Sequence, residues 1–531
     1  MPVQGEAGNA RRRHPSIFEP TSLFFGVVFA LLGAIIGLEL ITRVGITPNS
    51  SIIAVVAAIA LSRIPLAPSR RFRGLAEQNL AQTLISGATF GGANGILLPA
   101  GILWLMDRRD LVPAMMLGAV AGVVLGAILM YRLFDSRLFP ATGIWPSGVA
   151  TAECMIAGDR GGKRAALLAA GGLAGALGYP LGIPMDVFGV CWIGNIWALF
   201  MFGLGLLVRG YGGRVAGLDV EAAFLPHGFM IGAGLVALLQ IVLTLRRGAQ
   251  AGEPLGPGIR LGASLVAGFG VYAAAALSMA LVAGLTTEMP PGMLAGFVVY
   301  AAVAAIASEL LVGIAAMHSG WFPAFATAFV FLLVGMALGF PPVPLAFLVG
   351  FTASSSPAFA DMGYDLKAGW ILRGEGANPD LEREGRRAQL SAELLGIGVA
   401  ALAVYFLHAS YFGRDLFPPW DRVAAATIAA GASPELARAL LLWAIPGALL
   451  QALGGPARQL GVLFATGLLI NFPAAGWTAM TSLAIRLFLT RRYGSSAEGP
   501  MYILAGGFIA GSALASFGTA TMKVWGRDAP S

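Results

Sequence analysis

The sequence predicts an all-α membrane protein that crosses the bilayer many times. Of its 531 residues, 57% are hydrophobic and 11% are charged, whereas a soluble protein averages about 25% charged residues. The mean hydropathy is +0.78. Apolar runs long enough to cross a bilayer, roughly 17 to 25 residues, recur along the chain with short polar gaps. We therefore predict one polytopic membrane domain of about 14 to 17 transmembrane or re-entrant helices.

The apolar runs that predict these helices follow one another in chain order. The longer runs cover residues 21–41, 83–106, 111–133, 165–183, 190–208, 230–245, 261–285, 292–314, 322–340, 390–407, 439–453, 461–471 with its continuation to 489, and 501–519. Shorter or broken runs lie at 51–66, 145–157 and 343–359.

The net charge of +7 arises from basic residues in the short gaps, such as 70–73, 246–247 and 383–387. Under the positive-inside rule this pattern is an orientation signal, so it does not indicate a nucleic-acid partner.

The tails, residues 1–20 and 523–531, are also basic, which predicts that both termini face the cytoplasm. Because the polar start runs into an apolar run without a cleavage site, we expect the first helix to stay as a membrane anchor.

The two halves of the chain contain similar short motifs, which predicts an internal repeat. Leu138-Phe139-Pro140 is echoed by Leu416-Phe417-Pro418, each just ahead of a segment rich in small residues. We assign residues 21–250 to a first membrane repeat and 251–522 to a second. Residues 361–389 are polar and charged, which predicts a loop or lateral helix outside the membrane. Transporters built from repeats typically bind substrate where the repeats meet.

The most unusual stretch is 138–153, which places Pro, Gly, hydroxyls and a carboxylate where an apolar run would otherwise cross the bilayer. Irregular backbone at membrane depth is tolerated only where it faces protein or a water-filled cavity. We therefore expect a broken helix that lines a solute pathway, with a glycine where backbone approaches the solute. The candidate pathway residues are Trp145, Pro146, Ser147, Gly148 and Thr151.

Three glutamates in apolar runs are candidates for proton coupling. A charged side chain at a helix centre costs about 2.5 to 3.5 kcal/mol on insertion scales, so Glu39, Glu153 and Glu309 each need a polar partner, a cavity or a proton. Glu153 is the first candidate because it follows the broken stretch, and because Lys163 and Arg164 are too distant along the chain to be assumed partners. For Glu39 and Glu309 the alternative is that they reach interfacial water at segment ends.

Three further side chains are candidates for contact with a solute, each with a structural alternative. His318 precedes a helix-breaking proline, but a lone histidine is also explained by a hydrogen bond to a neighbouring carbonyl. Ser355 belongs to the hydroxyl-rich stretch 352–356, which is equally typical of hydrogen bonding between helices. Trp477 follows a proline, yet a tryptophan near a segment end commonly anchors a helix at the membrane interface.

No motif in the sequence indicates catalysis, a cofactor or a metal centre. Cys154 and Cys191 have no metal-ligand spacing and are expected to be small packing residues. A phosphate-binding loop, which an ATP-driven pump would need, does not occur, and neither does a zinc-protease or serine-hydrolase motif in a suitable context. A channel is not excluded, but broken segments at matching positions favour a carrier that works by alternating access.

Three motifs in this order resemble the oligopeptide transporter superfamily, and more closely its yellow stripe-like branch in a prokaryotic-type member. The stretch 77–88 is similar to the family's Asn-x-x-Gln-Thr entry into a helix, followed by Leu98-Pro99-Ala100. Residues 145–152 resemble the aromatic-Pro-Ser-Gly-x-Ala-Thr-Ala signature of the yellow stripe-like members. Peptide-transporting relatives more often have Glu at the Ser147 position. Residues 365–370 are similar to the family's Asp-Leu-Lys-Thr-Gly motif.

The resemblance implies proton-coupled secondary import of small peptides, or of metal bound to an organic chelator, by an α-helical bundle of two pseudo-symmetric halves. The expected partners are this small-molecule substrate, protons and the lipid bilayer of the plasma (bacterial inner) membrane, and a homo-oligomer is compatible with the sequence. Because Asp365 and Lys367 lie in the polar stretch after Pro357, we expect them to act outside the bilayer core as a gate or a helix-orienting pair.

Overall fold

The structure is a computed structural model that describes residues 14–43, 55, 74–217, 219–220, 222–250, 261–320, 323–431 and 433–527. Several sequence expectations lie outside the described residues. They are the first 13 residues of the N-terminal tail, most of the segment 51–66, the arginines between 63 and 73, and residues 528–531.

The described residues form helices and no β-strand. The helices are α1 (Pro20–Arg43), α2 (Leu75–Phe90), a π-helical turn (Gly91–Leu97), α3 (Leu98–Leu105), α4 (Val112–Leu133), α5 (Pro146–Arg160), α6 (Gly162–Gly178), α7 (Met185–Ile193), α8 (Ile196–Ala216), α9 (Leu225–Gln250), α10 (Leu261–Val282), α11 (Pro291–Ser319), α12 (Ala324–Ala337), α13 (Pro342–Leu372), α14 (Pro379–Gly413), α15 (Pro419–Ala430), α16 (Pro434–Arg458), α17 (Leu460–Leu468), α18 (Pro473–Tyr493) and α19 (Glu498–Arg527).

Ten helical segments in the described part of the chain are long and apolar enough to cross a membrane. α10 and α12 supply two shorter apolar helices. The fold class predicted from composition is therefore confirmed, and the protein is an all-α, multi-pass integral membrane protein. Several of the predicted segments are short helices, such as α5, α7 and α17, rather than full spans. The division into two pseudo-symmetric halves stays a prediction.

Proline and glycine set the ends of many helices. Pro146, Pro342 and Pro419 each stand at the start of a helix, where the missing N–H costs no hydrogen bond and the ring fixes a helical φ. Gly161 and Gly431, with φ of 66° and 77°, end α5 and α15. Since glycine adopts positive φ readily, the chain reverses there and enters the next helix.

α13 is the central element of the bundle. Its apolar window is entirely buried, whereas the window of α16 is largely exposed at the periphery. α13 packs against α4, α5, α11 and α12, and also contacts α2 and α14. Two buried apolar clusters flank it, one built mainly from α3, α4 and α11–α13, the other from α7–α9 and α17–α19. A polar residue on α13 is therefore held away from both lipid and bulk water.

The expected polar loop at 361–389 is not a loop. Its first part completes α13 and its last part begins α14, so that only residues 373–378 connect the two helices. Arg373 and Arg386 both bind Glu382, at N–O distances of 2.7 Å. Because the charges pair with one another across the helices, burial does not leave them unsatisfied.

Candidate functional site

The predicted interruption lies between α4 and α5, where residues 134–145 leave helical geometry. Trp145 has a φ of 41°, and its backbone N–H donates to Met317 O at 2.9 Å. The indole is fully buried and contacts the rings of Phe139 and Tyr364. A non-glycine residue persists in this backbone region only when its surroundings fix it. The irregular stretch is therefore a rigid wall of packed aromatic residues.

Gly148 does not break the helix, contrary to expectation, because α5 begins at Pro146 and continues through it. A Cβ built on Gly148 would lie 2.6 Å from Tyr364 O and 2.7 Å from the Cβ of Lys367. The glycine therefore allows α5 to touch α13. Ser147, next to it, is buried and donates to Gly320 O at 3.4 Å. The close backbone approach is between two helices rather than between backbone and solute.

A cavity of about 490 Å³ opens beside this contact. The end of the irregular stretch, the first turn of α5, the break between α7 and α8, and α13, α18 and α19 all contribute to its wall. The lining residues are Thr142, Gly143, Ile144, Val149, Ile193, Gly194, Asn195, Ile196, Trp197, Lys367, Arg486 and Tyr502.

Two cations line this cavity. Lys367 Nζ donates to Ala141 O at 2.8 Å and lies 4.4 Å from the centroid of the Trp370 ring. Arg486 Nη1 donates to Cys191 O at 2.9 Å and to Gly194 O at 2.6 Å. No ion pair between described residues includes either cation. The cavity thus carries two positive charges that are not in direct contact with a described carboxylate.

The amino end of α8 adds to the positive field of the cavity. The apolar run 190–208, expected to form one helix, is broken at Asn195, whose side chain accepts from the N–H groups of Trp197 and Ala198 at 3.0 and 3.2 Å. This cap starts the 21-residue helix α8, and a helix amino terminus favours an anion. Two cations and this terminus together suit a small solute that carries a carboxylate.

Asp365 and Lys367 both lie inside the protein, near the end of α13, and their position relative to the bilayer core stays a prediction. Asp365 is fully buried and Lys367 is 5% exposed. Gln82 Nε2 on α2 donates to Asp365 Oδ1 at 2.6 Å, whereas Lys367 reaches the irregular stretch near Gly148. The two motif residues therefore face different sides of α13, and only Lys367 lines the cavity.

The premise that Glu153 lacks a basic partner is also wrong. The positive φ of Gly161 folds α6 back beside α5, and Arg164 Nη1 lies 3.8 Å from Glu153 Oε2. Sequence distance could not reveal this approach, because it depends on the reversal at Gly161. The side chain of Glu153 is 17% exposed. Burial raises the pKa of its carboxyl, while Arg164 opposes the rise.

The other two glutamates differ in their surroundings. Glu309 is fully buried, and the hydroxyl of Tyr272 donates to its Oε1, whereas its Oε2 has no hydrogen-bond partner among the described residues. Glu39 is partly buried and accepts a hydrogen bond of 2.7 Å from the hydroxyl of Tyr411. Both have a phenolic partner, but only Glu309 is fully buried.

The remaining predicted site residues are dispersed. His318 borders the cavity indirectly, because its carbonyl accepts from Asn195 N–H at 2.8 Å. Thr151 is buried with no partner for its hydroxyl among the described residues. Ser355 is buried and donates to Thr352 O at 3.5 Å.

Trp477 lies apart from the cavity. It is 57% exposed and donates to Tyr211 Oη at 3.2 Å, which matches the membrane-anchor alternative.

A second cavity, of about 800 Å³, contains none of the predicted site residues and is lined largely by apolar side chains.

Several cavity residues did not stand out in the sequence. Arg486 lies inside the apolar run 461–489, close to the basic residues Arg491 and Arg492, which are typical of a segment end. Asn195 offered a usable signal, because Asn is a preferred residue just ahead of a helix. Tyr502 gave none.

The comparisons agree with this architecture. The family model described as OPT oligopeptide transporter protein matches residues 20–238 and 262–523, which is most of the chain. No curated protein matches the chain. The matched ranges include the irregular stretch before α5, the cationic cavity and the whole of α13. The chain therefore belongs to the OPT oligopeptide transporter family, and it is a membrane transporter for a small-molecule substrate.

Proposed function

We propose that this protein is a secondary active carrier that imports small oligopeptides or metal–chelate complexes, driven by protons and working by alternating access. The observation that carries the proposal is the cavity with two cations, Lys367 and Arg486, beside the amino terminus of α8. A free peptide carries a terminal carboxylate, and organic chelators of metals commonly carry several. Both substrate classes therefore present the group that this cavity suits.

The cavity is large enough to hold part of a small solute. Ligand sites in proteins typically measure about 300 to 1,000 Å³, and this one has about 490 Å³. Arg486 is held by two carbonyl oxygens at the end of α7, so its guanidinium stays in place without a carboxylate. Such a fixed donor loses little freedom when an anionic ligand binds.

The residue at position 147 supports assignment to the yellow stripe-like branch. Peptide-transporting relatives more often have Glu there, and a carboxylate close to the cavity would oppose a substrate of high negative charge. Ser147 is neutral and donates to Gly320 O. This favours a metal chelate with several carboxylates over a peptide.

The order of elements supports the two-repeat architecture that alternating access uses. In the first half, a long helix is followed by Leu138-Phe139-Pro140, a short helix that begins with a proline, and Gly161 with positive φ. In the second half, Leu416-Phe417-Pro418 leads to another short helix with a proline at its start and to Gly431, also with positive φ. A channel or another kind of solute carrier is the alternative function, and a membrane-embedded enzyme is less favoured.

Proton coupling needs a carboxyl that can take up and release a proton away from water. The sequence favoured Glu153 over Glu309. The contact between Glu153 and Arg164 now favours Glu309, because Glu309 is fully buried and has no cationic partner among the described residues. We propose that a buried carboxyl of this kind passes the proton across the plasma membrane together with the substrate.

Uptake into proteoliposomes tests the function. A labelled tripeptide and a labelled iron–chelate complex should accumulate against their gradients when the outside is acidic, and a protonophore should abolish accumulation. Equilibration without accumulation would indicate a channel, and hydrolysis products would indicate an enzyme. If neither substrate enters faster than into protein-free vesicles, the proposal fails.

The substrate site is tested by Lys367→Met, with Lys163→Met as the matched control because Lys163 is exposed on α6. A hydrogen bond to a charged group contributes about 1.5 to 3 kcal/mol, so the first variant should bind substrate roughly 10 to 150 times more weakly. The second should bind like the parent. Amidation of the peptide carboxylate should weaken binding to the parent but not weaken it further in Lys367→Met. If amidation and Lys367→Met weakened binding independently and additively, the substrate carboxylate would bind at a position other than Lys367.

A further inference from the structure

Trp197 presents an aromatic surface at the cationic cavity. It is the second residue of α8 and lines the cavity, and 55% of it is exposed. Among the described lining residues, only Tyr502 adds a second aromatic ring. The cavity therefore has an aromatic part besides the cations that suit a carboxylate.

A further cation lies over the Trp197 ring. The guanidinium carbon of Arg458, at the end of α16, is 5.0 Å from the ring centroid, within the range of about 6 Å for a cation–π contact. Arg458 is exposed, and it takes part in no ion pair between described residues. The contact therefore adds positive charge next to the aromatic surface.

Asn195 fixes the ring and the cation relative to each other. Its side-chain oxygen accepts from the backbone N–H of Trp197 at 3.0 Å. Its Nδ2 donates at 3.0 Å to Ala457 O, in the residue before Arg458. One side-chain amide thus joins the start of α8 to the end of α16, and the fold sets the position of the aromatic surface.

The turn that carries Arg458 is itself held in place. Gly455 and Gln459, on either side of it, have φ of 67° and 50°. Gln459 is 2% exposed, its Nε2 donates to Pro456 O at 2.8 Å, and its Oε1 accepts from Gln451 Nε2 at 3.0 Å. A non-glycine residue persists at such a φ when its surroundings fix it. The guanidinium is therefore presented to the ring by a well-packed turn.

Trp477 shows the arrangement expected of a membrane anchor. It is exposed to nearly the same extent as Trp197, at 57% against 55%, and its indole N–H donates to Tyr211. However, it does not line the cavity, whereas Trp197 does. Exposure alone therefore does not explain the position of Trp197 next to the cations.

The charges around the ring determine which ligand suits it. A positively charged group would be repelled by Arg458, which already lies over the indole. A purely apolar group would leave Lys367 and Arg486 without an anion. A ring joined to a carboxylate suits both parts of the cavity, because the ring packs on the indole and the carboxylate binds the cations.

We infer that Trp197 is a specificity-determining residue, and that the substrate class is an anionic solute in which a carboxylate is joined to an aromatic ring. The carboxylate contact is that of the proposed function, on which this inference rests. An aromatic pair in offset or edge-to-face geometry contributes a factor of roughly 2 to 13 in affinity beyond its buried area. The ring belongs either to an aromatic residue of a peptide or to an aromatic chelator.

Binding is tested by calorimetry on the purified full-length protein with N-acetylphenylalanine and N-acetylcyclohexylalanine. Both carry the same carboxylate, but the cyclohexyl group has no π-face. The parent should bind the phenyl compound more tightly by a factor of roughly 2 to 13. Trp197→Leu should lose this preference, whereas Trp197→Phe and the control Trp477→Leu should keep it.

The ratio of the two dissociation constants is measured within each variant, so it does not depend on the fraction of protein that is folded. A parent without preference for the phenyl compound would overturn the inference. A preference that persists in Trp197→Leu would overturn it as well.

Uptake into proteoliposomes identifies the source of the ring. One arm compares Ala-Ala-Phe with Ala-Ala-cyclohexylalanine, and the other compares iron(III)–salicylate with iron(III)–citrate. Faster accumulation of the aromatic member that depends on Trp197 supports the inference and names its source. If nothing accumulates while the Trp197-dependent preference in binding remains, the proposed function fails and the aromatic site stands. If both members of a pair accumulate equally and binding shows no preference, the inference fails and the proposed function stands.

Discussion

Replacing Gly148 by alanine tests the contact between α5 and α13 that forms one wall of the cavity. The added Cβ would lie 2.6 Å from Tyr364 O and 2.7 Å from the Cβ of Lys367. Ordinary contact distances are 3.4 to 4 Å, so the helices must separate by roughly 0.5 to 1 Å, and overpacking of this kind costs about 1 to 3 kcal/mol. Alanine also favours helix by about 1 kcal/mol over glycine, which hides part of the cost.

Gly172→Ala removes that ambiguity. Gly172 lies inside α6, and a Cβ there would meet only Gly507 O, at 3.9 Å. This variant therefore gains the helix propensity without the clash. The difference in unfolding free energy between the two variants should be about 1 to 3 kcal/mol, a factor of roughly 5 to 150 in the unfolding equilibrium.

The assay is chemical unfolding of the purified variants in one detergent, followed by substrate binding. Gly148→Ala should also bind substrate more weakly, because separation of the helices moves Lys367, whose ammonium lines the cavity. Equal unfolding free energies for the two variants would refute the tight approach of α5 to α13. A destabilised Gly148→Ala that binds substrate like the parent would refute the role of this contact in shaping the cavity.

Three further outcomes are expected. Glu309→Gln should keep substrate binding but lose accumulation driven by a pH gradient. Proton coupling through these carboxyls is wrong if Glu309→Gln and Glu153→Gln both concentrate substrate as the parent does and Na⁺ replaces the proton requirement. Arg373→Met should lower the unfolding free energy by about 1.5 to 3 kcal/mol, because it removes one of the two arginines that bind the buried Glu382, whereas Arg383→Met, in an exposed pair, should change it by less than about 1 kcal/mol. Trp477→Ala should leave the uptake rate unchanged, since this indole is exposed and distant from the cavity lining, and a large loss of uptake would contradict that placement.

The sequence predicted the features that depend on local chemistry. Composition and run length were enough for an all-α membrane protein, because the cost of exposing backbone groups to lipid leaves few alternatives. The irregular stretch before α5 was predictable for a similar reason, since Pro146 has no N–H to continue a helix from the preceding residues.

The errors arose where a side chain is satisfied by a partner distant in sequence. Residues 361–389 resembled a loop because hydropathy counts each charge separately, whereas Arg373 and Glu382 pair inside the protein. The contact between Arg164 and Glu153 depends on the reversal at Gly161. No periodicity in a single sequence encodes such approaches.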